Sequence, residues 1–243
     1  MWKNKTVSVV LTSYRERHSI KEIIDGFFDT GVVDEVVVVD NNAEEGSVEE
    51  IKKTRAKLFF EKQQGQGYAL QRGMREAMGD YVILCEGDGT YNPRDIEKFL
   101  LYGADFPVVL GTRTNTSLIG PGSAMFFLRR IADVLEGKLI EVLFFANRLT
   151  DVGCTYKLLH KEIVSRLSTC WLKGDSHFVT EMTLQVVARH IPFVEIPVAF
   201  KKRVGVSFVT ESLNNIIKWG IKLLFFILFF RIYWISNRGR DQK

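Results

Sequence analysis

Glu86 and Asp88 stand two residues apart in the run Leu84-Cys85-Glu86-Gly87-Asp88-Gly89-Thr90-Tyr91-Asn92-Pro93. Carboxylates at that spacing can aim at one hard cation. Mg²⁺ and Mn²⁺ take few protein carboxylates and complete their shells with phosphate oxygens. The glycines let the backbone come close to a bulky ligand. Other apolar runs also end in polar groups. Ser13-Tyr14-Arg15-Glu16 follows Val7–Leu11, Asp40-Asn41-Asn42 follows Glu35–Val39, and Gly111-Thr112-Arg113 follows Phe106–Leu110. A crevice lined by such groups suits a divalent metal, a ribose or a base edge.

The elements that position these groups alternate in type. Short β-branched runs predict strands at Val7–Leu11, Glu35–Val39, Lys57–Glu61, Tyr81–Cys85 and Phe106–Leu110. Between them, helical spacing predicts helices at Ile20–Phe28, Ser47–Ala56, Gly67–Met78 and Pro93–Leu101. Such alternation indicates an α/β fold, a mostly parallel sheet covered on both faces. Ligands bind these sheets at the carboxyl ends of the strands. The second half predicts a long helix over Ala124–Phe145, a loop and strand over Asp151–His160, a helix over Phe178–His190 and a strand over Val194–Phe200.

A chain of 243 residues has ample length for a buried core. Apolar residues make up 46% and charged residues 26%, which excludes a disordered chain and a polytopic membrane protein. Three cysteines without paired spacing argue against a disulfide scaffold and a zinc site, and fit a reducing compartment. Met1-Trp2-Lys3-Asn4-Lys5 leads straight into a strand, unlike a signal peptide. The formal net charge of +4 is uneven. From Asn214 onward six basic residues stand against Asp241 alone. The positive charge belongs to a tail and not to a nucleic-acid-binding face. A basic tail rich in Phe, Ile and Leu suits a membrane surface with anionic lipids. G-x-G-x-x-G is missing after the first strand, which excludes a dinucleotide-dependent dehydrogenase.

The acidic run resembles the D-x-D loop of inverting family-2 glycosyltransferases with the GT-A fold, most of all dolichyl- or polyprenyl-phosphate mannose or glucose synthases. Glu86 stands where that family has Asp, and Asp88 matches its firmer metal ligand. Thr90 fills a polar position that joins the site in relatives. The resemblance covers almost the whole chain. Val9-Val10-Leu11-Thr12-Ser13-Tyr14-Arg15-Glu16 is similar to the family's opening strand end, which implies that Tyr14 and Glu16 help hold the nucleotide. Val38-Val39-Asp40-Asn41-Asn42 resembles its second strand end, where Asp40 reads the base edge. Gly65-Gln66-Gly67-Tyr68-Ala69 resembles its G-x-G-x-A element, bringing Gly67 to the donor.

In the second half, Gly111-Thr112-Arg113 resembles the family's G-S-R, and Asp151–Lys157 its D-x-x-S-G-[FY]-R, with Lys157 replacing Arg. The run from Pro197 to Ser207 resembles P-[IV]-x-F-x-x-R-x-x-G-x-S. The resemblance implies that Arg113, Lys157 and Arg203 meet phosphates of the donor or of the lipid acceptor, and that Ser207 joins the donor site. Arg presents a rigid fork of donors suited to that task. Members that glycosylate sugar hydroxyls carry a Glu-Asp pair, whose Asp acts as general base. This chain has Phe178-Val179-Thr180-Glu181-Met182, similar to the F-Q-x-E-M of polyprenyl-phosphate enzymes. A phosphate monoester is already anionic and needs no strong base.

The resemblance therefore implies a metal-dependent hexosyltransferase using Mg²⁺ or Mn²⁺. A sugar moves, with inversion, from a UDP- or GDP-linked donor to polyprenyl or dolichyl phosphate. Asp88 and Arg203 would carry the chemistry. The alternatives are a transferase acting on a saccharide hydroxyl in surface-polysaccharide assembly, and a non-catalytic membrane-anchored scaffold. Expected domains are residues 1–211, the GT-A catalytic domain, and 212–243, a membrane-associating helix and basic tail. Within the first, 1–112 bind the nucleotide sugar and 113–211 the acceptor. The uninterrupted apolar stretch Leu223–Phe230 is about 12 Å long as a helix, short of a full span. The expectation is a monotopic or marginally spanning helix, with 124–145 as a second interfacial element and the catalytic domain on the cytoplasmic side.

Overall fold

The strand Glu35–Asp40 (β2) contains four consecutive valines, and all six of its residues are buried. β-Branched side chains fit a pleated surface buried on both faces. Val7–Ser13 (β1) pairs with it in parallel, and Lys57–Phe60 (β3) extends that side. Tyr81–Glu86 (β4) pairs in parallel with the other edge of β1. The register sets Ser13 beside Asp40 and Thr12 beside Glu86, so three strand ends open at one place. Residues 1–125, 127–204 and 213–237 are described, in a computed structural model.

Beyond β4 the pairing changes. Lys157–His160 (β6) runs antiparallel between β4 and Val108–Thr112 (β5), and Phe193–Pro197 (β7) pairs with β5 in parallel. The order among the described residues is β3-β2-β1-β4-β6-β5-β7, a mixed sheet.

Helices cover both faces. Ile20–Phe28 (α1) buries Ile20, Ile23, Ile24 and Phe27, the i, i+3, i+4, i+7 spacing of an amphipathic helix. Ser47–Lys52 (α2) stops earlier than expected. Gln66–Glu76 (α3) lies so close to β1 that a Cβ on Gly73 would stand 2.3 Å from a methyl of Val10. The expected helix at Pro93–Leu101 is two pieces. Asn92 accepts from the Arg94 amide and starts a 3₁₀ turn over Pro93–Asp95, and Ile96–Gly103 (α4) follows.

Phe127–Phe144 (α5) is shorter than its apolar stretch suggested. Lys161–Leu167 (α6) was not anticipated, because Ile163, Val164 and Leu167 give too short a pattern. Phe178–Ala188 (α7) is buried along its entire length. Leu213–Asn237 (α8) lies beyond the expected domain boundary, yet its Leu223, Phe226, Ile227, Phe230 and Trp234 join the same core as the sheet residues Val10, Val37 and Val82. Phe144 of α5 meets Phe230 with ring centroids 6.2 Å apart.

Candidate functional site

The carboxyl ends of β1, β2 and β4 open into a cavity of about 540 Å³. Glu86 ends β4, and its Oε1 accepts from the Thr155 hydroxyl at 2.6 Å and from the Gln66 side-chain amide at 3.2 Å. Asp88 is buried two residues later. Its Oδ1 accepts from both the amide (2.9 Å) and the hydroxyl (2.6 Å) of Thr90. Its Oδ2 lies 3.4 Å from Nη1 of Arg203. Nη2 of the same guanidinium donates to Glu16 at 2.7 Å. Glu16 in turn accepts the backbone amides of Tyr14 and Arg15.

Gly89 adopts φ +80°, a left-handed conformation that side chains disfavour, and turns the loop between Asp88 and Thr90. Backbone bonds from Lys201 to Thr90 (2.7 Å) and from Val204 to Asp88 (3.0 Å) lay the following strap over this loop and bring Arg203 into place.

Around the acidic loop three carboxylates share the field of one guanidinium. Burial and the neighbouring Glu86 push the Asp88 carboxyl up to about 7. Glu16 is also raised, by burial, although its backbone bonds and Arg203 oppose the shift. Burial acts on Glu86 too, but the Thr155 hydroxyl and Arg203 outweigh it and hold this carboxyl low. Arg203 keeps its proton because the three carboxylates outweigh its own burial. Its Nε is buried without a hydrogen-bond partner. A carboxyl as high as that of Asp88 favours any added cation that lowers the cost of ionising it.

A divalent metal fits this donor set. Two carboxylates on one loop face a cavity open to phosphate oxygens, and Mg²⁺ uses one or two carboxylates plus substrate phosphates. Among the described residues no group of three His, Cys, Asp or Glu side chains could enclose a metal without such help.

The other expected residues divide. Tyr14, Arg113 and Thr90 line the cavity. The Thr90 hydroxyl proton is directed at Asp88, so Thr90 orients that carboxylate. Arg113 is buried and clamped by Asp151, with Nε at 2.7 Å, Nη2 at 2.8 Å and its own amide at 2.9 Å from the carboxylate. Asp40 does not line the cavity. It accepts from the Ala43 amide at 2.7 Å, and Asn41 lines the cavity beside it.

Gly67 is also off the cavity. A Cβ there would stand 2.6 Å from Cβ of Phe178, so this glycine lets α3 approach α7. Lys157 departs furthest from expectation. It is wholly buried in the interior strand β6, and its amine donates to the Thr183 hydroxyl at 3.1 Å. Burial lowers its pKa, and it does not line the cavity. Ser207 lies outside the described residues.

Several cavity residues carried no sequence signal of their own. Gln64, Gln66 and Thr155 are ordinary polar residues brought in by loops. Arg129 enters from α5 and Trp219 from α8. The Arg129-Arg130 pair inside an apolar helix was the available clue to the first. Lys202 lines the cavity too. Glu181, without an assigned role in the sequence, accepts from the amides of Leu172 (2.7 Å) and Lys173 (2.8 Å). It holds the loop that packs on Gly65 and Gly67.

The mixed sheet with helices on both faces is the GT-A fold. Glucosyl-3-phosphoglycerate synthase from Mycobacterium tuberculosis, crystallised with Mn²⁺, UDP and phosphoglyceric acid, superimposes with a TM-score of 0.69. The match covers 94% of this chain and 79% of that one at 15% identity. The same synthase is also known with Mg²⁺ and UDP. The family model "Glycosyl transferase family 2" matches residues 8–124. Residues 8–124, just under half of the chain, thus match the family-2 glycosyltransferases.

Curated relatives include the low-salt glycan biosynthesis hexosyltransferase Agl6 of Haloferax volcanii, 24% identical over 82% of this chain and 49% of its own length. The undecaprenyl-phosphate 4-deoxy-4-formamido-L-arabinose transferase of Pectobacterium carotovorum is 25% identical over 68% of this chain and 52% of its own. The chain thus spans about half the length of these two relatives.

Proposed function

We propose that the protein transfers a sugar, with inversion, from a nucleoside-diphosphate sugar to polyprenyl or dolichyl phosphate at a membrane. The observation that carries the acceptor class is the state of the cavity's carboxylates. Among the described residues these are Glu16, Glu86 and Asp88, and each is engaged by Arg203, by hydroxyls or by amides. None stands free to take a proton from a sugar hydroxyl. A lipid phosphate arrives already ionised and can attack without a base. The undecaprenyl-phosphate relative supports the same acceptor.

The residues then take distinct parts. Tyr14 and Asn41 bind the nucleoside at the ends of β1 and β2. Glu86 and Asp88 would hold Mg²⁺ or Mn²⁺, which supplies charge neutralisation to the diphosphate when bound. Arg203 and Lys202 reach the same diphosphate from the strap. Arg129 enters from α5 and orients the acceptor phosphate, and Arg113 is fixed nearby by Asp151. An acceptor phosphate oxygen attacks the anomeric carbon as the bond to the diphosphate breaks. Charge grows on the departing oxygen, where fixed cations stabilise it. Either UDP or GDP could supply the donor. We place the catalytic domain, residues 1–211, on the cytoplasmic face, with 212–243 as the membrane-associating part.

Asp88→Ala tests the site. Transfer should fall at least 100-fold, with the circular dichroism spectrum unchanged. Undiminished transfer would remove Asp88 from the donor site and the metal assignment with it.

A further inference from the structure

We infer that α8 does not cross the bilayer but lies flat on it, beside α5, as one two-helix docking face. The inference deepens the proposed function and rests on it only for the route of the acceptor.

By length and composition, residues 218–237 are apolar enough to span a membrane. The packing opposes that use. Leu223, Phe226, Ile227, Phe230 and Trp234 recur at intervals of three and four and are buried in the domain core. Aromatic and cationic contacts fix this side along its length. His177 stacks on Trp219 at 5.2 Å, the Lys173 amine lies 4.9 Å from the Phe226 ring, and the Arg231 guanidinium lies 5.0 Å from the Phe144 ring. A spanning helix would have to surrender all of them and leave the core open.

The opposite side of α8 is apolar and exposed. Ile221, Phe225, Leu228, Phe229, Ile232 and Ile235 lie on it, with Phe225 and Ile232 67% and 66% exposed. The adjacent α5 repeats the pattern. Its Gly137, Ile140 and Phe144 are buried, while Leu128, Ile131, Leu135 and Val142 are exposed. Two neighbouring helices that are each apolar on the core side and apolar on the solvent side exceed what a soluble surface carries.

Charge identifies the occupant as a lipid surface. Between Leu213 and Asn237 the charged residues are Lys218, Lys222 and Arg231, without a carboxylate. A cationic helix with an apolar stripe suits an interface of anionic headgroups. Continuity with the cavity agrees. Arg129 of α5 and Trp219 of α8 both line it, so the face that meets lipid also borders the proposed acceptor site.

The test uses the full chain with phosphatidylcholine vesicles containing phosphatidylglycerol and no polyprenyl phosphate. Nitroxide labels are placed singly on Ile221→Cys, Phe225→Cys, Leu228→Cys, Ile232→Cys and Ile235→Cys in a Cys170→Ser background. Cys85 and Cys154 are buried. A flat helix gives all five labels one shallow depth, about 5–10 Å below the headgroups. A label at Leu228 near the midplane, about 15 Å down, with Ile221 and Ile235 at opposite interfaces, overturns the inference.

In flotation, the double variant Leu135→Glu/Phe225→Glu should lose at least tenfold in vesicle partitioning, with wild-type melting behaviour. Equal partitioning overturns the inference. So does a vesicle-independent dimer that the double variant dissolves, which would give the face to a second copy. Flat docking without a lipid-linked product would refute the acceptor and leave the face standing.

Discussion

Glu136 of α5 is the sharpest probe of how this half of the molecule is packed. Burial, with the negative charges of Asp133 and Asp151, pushes its carboxyl from 4.5 up to about 8, against the opposing pull of Arg129. It also sits against α8, where a Cβ on Gly220 would come within 3.9 Å of its Oε1. A carboxyl raised in the folded state adds stability that is fully present below 4.5 and is lost as pH rises through about 8. The full shift corresponds to roughly 5 kcal/mol at pH 9, since one pH unit is about 1.4 kcal/mol.

Glu136 is only partly buried, and solvent screening reduces this to about 2 kcal/mol. Glu136→Gln removes the ionisation and keeps the shape. It should match the wild type at pH 5 and exceed it by about 2 kcal/mol at pH 8.5. For a chain of this size that is a gain of about 4–8 °C in melting temperature. Thermal melts monitored by circular dichroism from pH 5 to 9 read the difference directly. A variant less stable than wild type at pH 8.5, or a gap that narrows as pH rises, refutes the assignment of repulsion around Glu136.

Other perturbations have equally definite outcomes. Arg203→Gln should reduce transfer at least 50-fold and leave Asp88 facing Glu16 and Glu86 without a cation; isothermal titration should show weaker UDP binding. Gly73→Ala drives a methyl into Val10 and should cost about 1–3 kcal/mol in urea denaturation without altering donor affinity in the folded fraction. Glu181→Gln loses charged acceptance from two loop amides and should cost about 1–3 kcal/mol. Its effect on transfer should be smaller than that of Asp88→Ala.

The parallel half of the fold was legible because buried strands announce themselves as valine and isoleucine runs, and the helices between them follow 3.6-residue spacing. The reversal at β6 was not legible, because Lys157–His160 is short and begins with a buried lysine. That lysine also misled at the site. The family resemblance implied a phosphate contact for it, yet its side chain lies in the core and donates to Thr183.

Glu86, Asp88, Glu16 and Arg203 were legible because each sits at a strand end or on a motif, and the fold brings Glu16 and Asp88 against the Arg203 guanidinium with Glu86 in the same cavity. Arg129 and Trp219 were not, since their approach depends on how α5 and α8 pack. The same packing decided the character of α8. Hydropathy alone allowed a span, whereas the burial of Leu223, Phe226, Ile227, Phe230 and Trp234 ties one side of it to the sheet.

In the proposed function this cavity joins a nucleotide-linked sugar to a lipid phosphate. The most direct measurement is transfer of radiolabelled sugar into chloroform–methanol-extractable product. It uses detergent-solubilised protein, Mn²⁺, polyprenyl phosphate and a panel of UDP- and GDP-sugars. The expected result is a metal-dependent lipid-linked sugar from one donor, absent in Asp88→Ala. Donor binding with label appearing only in a water-soluble saccharide would contradict it.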